Sequence, residues 1–315
     1  MQKKIEDLRT SIKKTIDDNI TGAFINAGKN WEDLHTDCLI KIFGRVGLES
    51  LILTIPFVCK SWYKASLDPH CWKVLDFKPI PVNTIPRAIM VLQKMPWGYK
   101  FKNLPDVTPS SQFMKTAVNR SGGLATEVVF HTCLLRDNIL EYILERCPAL
   151  KTLSLPEWKH FVRRGECLQR ENDKCLLKMI SKLHNLESLM TLNIVSPNLT
   201  MVLNQLHIHC PNLVTLGFQD VISDDIASAI VTLFPNIKNL VLRGSSIWRE
   251  SLILILSGCR KLELLDVSGC IGFDANDAEI LKMASHIKTF KSEGAARQWE
   301  LSSMHDVVWN MKTLL

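Results

Sequence analysis

The sequence predicts an α/β protein: a small helical unit near the N-terminus, followed by a solenoid with a curved parallel sheet inside and helices outside. Three observations carry this. Apolar residues recur at helical steps between residues 31 and 66, a strand-like apolar triplet recurs every 24 or 25 residues further on, and the stretches between triplets return to helical spacing. The chain has 315 residues, 46% of them apolar, which is ample for a core of this kind.

Residues 1–28 carry Ile5, Leu8, Ile12, Ile16 and Ile20 at steps of 3, 4, 4 and 4, with charged residues between them. That is one amphipathic helical face, and it reads as an N-terminal helix or tail, docked, frayed or self-associating. From Trp31 the pattern shortens into three helices: Leu34, Cys38, Leu39, Ile42 and Phe43; Leu48, Leu51, Ile52 and Ile55; then Val58, Cys59, Trp62, Tyr63 and Ala65. Asp33 or Thr36 is expected to cap the first, and Pro56 is expected in the first turn of the third, where proline is tolerated. Three helices in about 40 residues bury little surface, so this unit needs something to lean on.

Residues 78–124 are the least regular part, broken by Pro79, Pro81, Pro86, Pro96, Pro105 and Pro109. One helix is predicted over residues 112–119, ended by Ser121-Gly122-Gly123.

Then the chain repeats itself. The triplets are Leu213, Leu216 and Phe218; Ile237, Leu240 and Leu242; Leu262, Leu265 and Val267; and Ile287 with Phe290, their first anchors 24, 25 and 25 residues apart. Upstream, Ala125, Val128 and Phe130 precede Leu150, Leu153 and Leu155 by 25, and Trp72, Leu75 and Phe77 fit the same unit. At LESLMTLNI the register stays open between Leu186/Leu189 and Leu189/Leu192/Ile194. Segments such as DDIASAIVTLFPN supply a helix between strands. A strand and a helix every 25 residues is a leucine-rich-repeat solenoid, in which each unit covers its neighbour's apolar face. The repeat region spans residues 77–293, with an insertion at 156–172 and a C-terminal cap or tail at 294–315 holding Trp299, Val307, Val308 and Trp309.

The phase also accounts for cysteines. Cys147, Cys210 and Cys259 stand three residues before a strand anchor, where other repeats have Phe234 or Ala284, so this is a buried apolar slot. Cys133 and Cys270 stand three residues after the third anchor, at the Asn/Cys ladder position of such repeats. Cys167 and Cys175, in or beside the insertion, have no packing account.

Several function classes recede. A net charge of +6, with 38 basic and 32 acidic residues intermixed, is too dilute for a nucleic-acid surface. No apolar run is long enough to cross a membrane, and MQKKIEDLRTSIKK lacks the apolar centre of a signal peptide, which points to the cytoplasm or nucleus and to reduced thiols. None of the ten cysteines forms CxxC, no phosphate-binding loop is present, and no cysteine–histidine pairing is visible, so neither a metal, a cofactor nor catalysis is expected.

The stretches LHTDCLIKIF, VCKSW and DPHCW resemble the F-box motif, whose usual form opens Leu-Pro-x-Glu/Asp-Leu-Leu-x-x-Ile-Phe and closes Val-Cys-Lys-x-Trp with Asp-Pro and Trp. His35 stands where proline is usual and Cys38 where leucine is usual. An F-box at residues 29–76 followed by cysteine-containing leucine-rich repeats is similar to the F-box/leucine-rich-repeat family, plant members above all. The resemblance implies a non-catalytic substrate-recognition subunit of an SCF-type ubiquitin ligase, which feeds proteasomal degradation. The F-box would dock on a Skp-type adaptor, which joins it to a cullin and a RING subunit. It places Leu34, His35, Asp37, Cys38, Ile42, Phe43, Leu51, Val58, Cys59 and Trp62 on the adaptor side.

A protein substrate would meet the strand residues that point outward between anchors: Thr152 and Ser154; Thr215, Gly217 and Gln219; Asn239, Val241 and Arg243; Leu264, Asp266 and Ser268; Thr289 and Lys291. The insertion, with Trp158, Phe161, Arg163 and Arg164, reads either as a solvated loop or as a contact loop. The competing reading keeps the repeats as a protein-interaction module and gives the diverged F-box no ligase role.

Overall fold

The computed structural model describes residues 34–78, 109–130, 139–155, 177–190 and 196–296. The expectations for residues 1–28, Asp33, Cys133, the 156–172 insertion with its neighbour Cys175, and the C-terminal aromatic residues lie outside the described residues. The chain divides into two compact units, Met1–Leu150 and Lys151–Leu315.

The first unit opens with α1 (Thr36–Phe43), α2 (Leu48–Leu53) and α3 (Lys60–Ser66). The start of α1 differs from expectation: its cap is His35, whose Nδ1 accepts the Asp37 N–H at 3.4 Å, and Thr36 is already helical. Pro56 lies in a separate 3-10 turn, Ile55–Phe57, because α3 begins only after Cys59 takes an extended conformation. Leu39, Phe43, Leu48, Leu51, Ile52, Ile55, Trp62 and Ala65 fill the centre of this helical cluster. A second 3-10 turn, Pro69–Trp72, is capped by Asp68 and leads into β1 (Val74–Asp76). Trp72 is buried there, and its indole N–H donates to the Ser66 carbonyl at 2.8 Å, which satisfies the one polar atom it takes inside.

β1 pairs in parallel with β2 (Glu127–Val129), aligning Leu75 with Val128. α4 (Pro109–Arg120) covers the predicted helical segment and stops at Ser121, with Gly122 and Gly123 in left-handed conformations. It packs on α5 (Ile139–Arg146), where the Tyr142 hydroxyl donates to Asn119 at 2.8 Å. Phe77 and Phe113 meet edge to face at 6.3 Å within this layer.

The second unit is a regular stack. β3 (Thr152–Ser154), β4 (Ser188–Met190), β5 (Thr215–Gly217), β7 (Asn239–Val241), β9 (Leu264–Asp266) and β10 (Thr289–Lys291) run parallel as neighbours in that order. The register aligns Leu153, Leu189, Leu216, Leu240, Leu265 and Phe290, so the middle anchors form one apolar row. The open register at LESLMTLNI resolves to Leu186/Leu189, because Leu189 pairs with both Leu153 and Leu216. Between strands lie α6 (Ser196–His209), α7 (Asp224–Leu233), α8 (Arg249–Gly258) and α9 (Ala278–Ala284), each packed on the next. This is a leucine-rich-repeat arrangement, with a sheet layer and a helix layer.

A second, shorter ladder was not legible in the pattern. β6 (Val221–Ile222) pairs with β8 (Ser246–Ile247), and bridges Ser246 to Ile271 and Ile271 to Ala296 continue it. The repeats of β5, β7, β9 and β10 are therefore pinned to one another at two places, once through the strand and once where the chain leaves it.

The buried cysteine slots hold. Cys147, Cys210 and Cys259 are all buried, and burial pushes their thiols up to about 12, 11 and 11. Cys270 is buried as well and donates to the Leu242 carbonyl one repeat earlier at 3.0 Å.

Candidate functional site

Two surfaces come from the sequence, one on each unit. On the helical cluster, the ten residues on the adaptor side separate by burial. Phe43, Leu51 and Trp62 are at most 2% exposed and belong to the unit's own core. His35, Asp37 and Cys38 are exposed along the first turns of α1. Leu34, Ile42, Val58 and Cys59 are half-buried, with one side in the cluster and one side in solvent. Phe57, next to Val58, and Tyr63 share that half-buried state. Reasoning from the motif passed over both: Tyr63 shows in the periodicity of the third helix but is not a motif position, and Phe57, in a 3-10 turn, has no periodicity that would mark its side.

Cys59 is held locally. It precedes α3 as its N-cap residue, and its Sγ lies 3.3 Å from the Ser61 Oγ. At the following turn the cap is a side chain: Asp68 accepts the His70 N–H at 2.9 Å, whereas the Cys59 side chain makes no such bond to α3. The departure at His35 keeps the helix start intact, since its ring nitrogen occupies a free backbone donor of α1.

The strand face of the second unit shows three rows. The register sets Thr152, Ser188, Thr215, Asn239, Leu264 and Thr289 in the first, and Ser154, Met190, Gly217, Val241, Asp266 and Lys291 in the second. Gln219, Arg243, Ser268 and Glu293 follow the strands in the third. Ser188 and Met190 escaped the sequence reading because the register at β4 was open.

Most predicted residues lie half-exposed on this face and Arg243 is exposed, but two are buried. Gly217 is buried, because the Met190 side chain folds over it: a β-carbon built at 217 would stand 2.6 Å from the Met190 methyl carbon. Asp266 is buried too, under Arg243. The first-row polar groups bond to each other, Asn239 Nδ2 donating to Thr215 Oγ1 at 2.9 Å. Gln219 Nε2 donates to the Gly244 carbonyl at 2.6 Å, a link between adjacent repeats.

Around Asp266 the geometry is specific. Arg243 Nη2 donates to Asp266 Oδ2 at 2.9 Å and Arg243 Nε to Ser268 Oγ at 3.1 Å. The Ser268 hydroxyl and backbone N–H both donate to Asp266 Oδ1, at 2.5 and 3.1 Å. Burial pushes the Asp266 carboxyl up, but the Ser268 and Arg243 hydrogen bonds and the Arg243 charge outweigh it and hold the carboxyl below its ordinary value. The side-chain exposures, 62% for Arg243 against 6% for Asp266, leave a cation facing solvent over a covered anion.

Among the described residues, no group of three or more His, Cys, Asp or Glu side chains could hold a metal ion, and no helix is long and apolar enough to cross a membrane.

Comparison with known proteins bears on both units. The F-box domain family matches residues 31–74. An F-box/LRR-repeat protein of Arabidopsis thaliana is 31% identical over 241 residues, covering 76% of this chain and 72% of the relative. The F-box protein SKIP1 of the same plant is 26% identical over 273 residues, covering 84% of this chain and 86% of its own. The F-box protein FBW2, also from Arabidopsis thaliana, is 25% identical over 252 residues, 77% of this chain and 68% of that protein.

Proposed function

The chain belongs to the F-box/LRR-repeat protein family, and from that premise we propose that it is a substrate-recognition subunit of an SCF-type ubiquitin ligase. Its helical cluster docks on a Skp-type adaptor, which joins it to a cullin and a RING subunit. Its repeats hold a protein substrate. It contributes no catalytic group of its own, and it works in the cytoplasm or nucleus.

The observation that carries this reading is the division of labour within residues 34–66. Phe43, Leu51, Ile55 and Trp62 complete the unit's own core, while Leu34, Ile42, Phe57, Val58, Cys59 and Tyr63 keep part of their apolar surface in solvent. Such residues gain by a partner that covers them, at about 25 cal/mol for each Å² removed from water. Exposed Asp37, Lys41, Glu49, Lys60 and Lys64 supply a polar rim of the kind that surrounds an apolar interface centre. The adaptor-side assignment thereby shifts to the half-exposed set, with Phe43, Leu51 and Trp62 holding the shape from behind.

The alternative, an interaction module without a ligase role, draws on the departures at His35 and Cys38. His35 caps α1 and Cys38 is exposed, so neither departure opens the core. Co-expression with a Skp-type adaptor and a cullin decides between the two. The wild-type chain is expected to co-purify with both, and the triple change Ile42→Ala, Phe57→Ala, Val58→Ala to lose them without a change in fold by circular dichroism. A wild-type chain that captures no adaptor refutes the ligase reading.

A further inference from the structure

The strand face of the second unit places a glycine covered by a methionine close to a cationic corner. In the second row, Gly217 stands between Met190 and Val241 and has no side chain of its own. Met190 fills the gap with a flexible thioether, which can swing away at little cost and leave a slot one side chain wide. The polar rim of this slot is Thr215 and Asn239, already bonded to each other.

Next to it, Arg243 is fixed in direction. Its Nε and Nη2 are committed to Ser268 and Asp266, and among the described residues its Nη1 has no hydrogen-bond partner. Lys291 is the register partner of Asp266 on the following strand and has no ion pair among the described residues. The anion between these two cations is the covered one, so the exposed surface is positive; Glu293, exposed in the third row beyond Ser268, bounds it on the far side. A guanidinium held by a carboxylate behind it, with a free N–H edge in front, is preorganised for a second carboxylate.

Strands about 4.8 Å apart and a rise of about 3.3 Å per residue put the Gly217 slot roughly 8 to 10 Å from the space over Asp266. Two or three residues of extended chain span that distance. The geometry points to a bipartite site that takes an extended peptide segment of the substrate, an apolar side chain entering between Met190 and Val241 and an Asp or Glu carboxylate two or three residues away meeting Arg243 and Lys291. This rests on the reading of the strand face as the substrate-holding surface, and it names the chemistry that surface selects.

The test uses the full-length chain labelled with methyl-¹³C methionine, the Met190 signal being assigned by Met190→Leu. The probes are acetyl-Gly-Phe-Gly-Asp-Gly-amide and acetyl-Gly-Phe-Gly-Gly-Asp-Gly-amide, each with an Asn-for-Asp control. With at least one Asp peptide the Met190 methyl should shift saturably, and the Asn control should bind at least about fivefold more weakly. Arg243→Gln should remove the Asp/Asn difference and Gly217→Val should abolish the shift, both with unchanged circular dichroism. No movement of the Met190 signal up to about 10 mM peptide, or equal binding of Asp and Asn forms, overturns the site.

Capture of ubiquitin conjugates from proteasome-blocked cells separates this from the parent reading. Conjugates lost with Thr215→Arg/Asn239→Arg but kept with Gly217→Val and Arg243→Gln overturn the bipartite site and leave the strand face as the substrate surface. Conjugates kept by every variant overturn both.

Discussion

Phe43 of α1 and Trp62 of α3 meet edge to face, ring centroids 5.2 Å apart and planes at 61°. Both rings are among the largest fully buried side chains near the N-terminus, so this pair ties the first and last helices of the cluster together. Removing one ring leaves a cavity that the surrounding side chains fill only in part. Trp62→Ala is expected to destabilise the protein by about 3 to 5 kcal/mol and to lose adaptor capture through unfolding of the cluster. Trp62→Phe keeps most of the packing and should retain capture. Chemical denaturation and co-purification on the same samples check this, and an Ala variant with wild-type stability would show that the ring contact is incidental.

Where the chain leaves β9, two glycines are needed to different degrees. Gly272 has φ +121°, and a β-carbon there would drive into the Ile247 carbonyl, the group that the adjacent short ladder brings close. Gly269 has φ +63° with nothing within 4 Å of the same position. Gly269→Ala should therefore cost only the left-handed backbone term, about 1 to 2 kcal/mol. Gly272→Ala should cost more, because the backbone of two repeats must also separate. Urea midpoints for the two variants give the comparison; equal losses would mean that the ladder tolerates the displacement.

The strands were legible because their signal is local and repeated. Leu216, Leu240 and Leu265 each declare a strand centre through their flanking anchors, and the pairing register follows once the period is set. What escaped depends on side-chain reach between repeats. Nothing in the order of residues says that Met190 lies over Gly217, that Arg243 covers Asp266, or that Val221, Ser246 and Ile271 line up into a second ladder. His35 as a cap was missed for a related reason: histidine is a rare cap, and motif comparison read the position as a lost proline. The half-buried state of Phe57 likewise belongs to a turn that has no period.

Acid should loosen the second unit. Hydrogen bonds from Lys288 and Lys238 hold the Glu263 carboxyl below its ordinary value, and the Arg249 hydrogen bond does the same for Asp277. For Asp266, burial pushes the other way but loses to Ser268 and Arg243. A carboxyl whose pKa is lowered by folding contributes stability above its unfolded value, about 4, and that contribution fades as pH falls toward the folded value. Asp220 opposes the trend, since burial raises its carboxyl and protonation relieves it. The expected urea midpoint is flat from pH 7 to about 5 and drops below about 4. Asp266→Asn should lose about 1 to 3 kcal/mol at pH 7, by leaving Arg243 with a weaker partner, and should soften the acid slope. A midpoint unchanged at pH 3 would refute the assignment.

Among the described residues the thiols differ by position in the fold, with Cys59 half-buried between the two extremes. Cys38 is exposed on α1, whereas Cys71, Cys147, Cys210, Cys259 and Cys270 are buried. Burial pushes Cys71 and Cys147 up to about 12 and Cys210, Cys259 and Cys270 up to about 11. At pH 8 a thiol of pKa 11 holds about two to three orders of magnitude less thiolate than an ordinary thiol near 8.5. Since the thiolate is the attacking form, brief iodoacetamide treatment of the native protein should label Cys38 and leave these five unmodified, as read by peptide mass spectrometry. All five should react once urea unfolds the chain. The sign of linkage is opposite to that of the acid carboxylates: stability held by a protonated buried thiol is complete below about pH 8.5 and is lost as pH rises toward the folded value. Fast native labelling of Cys147, Cys210 or Cys259 would mean that the repeat slots are open to solvent, and the reading of these cysteines as apolar fillers between strand and helix would fail.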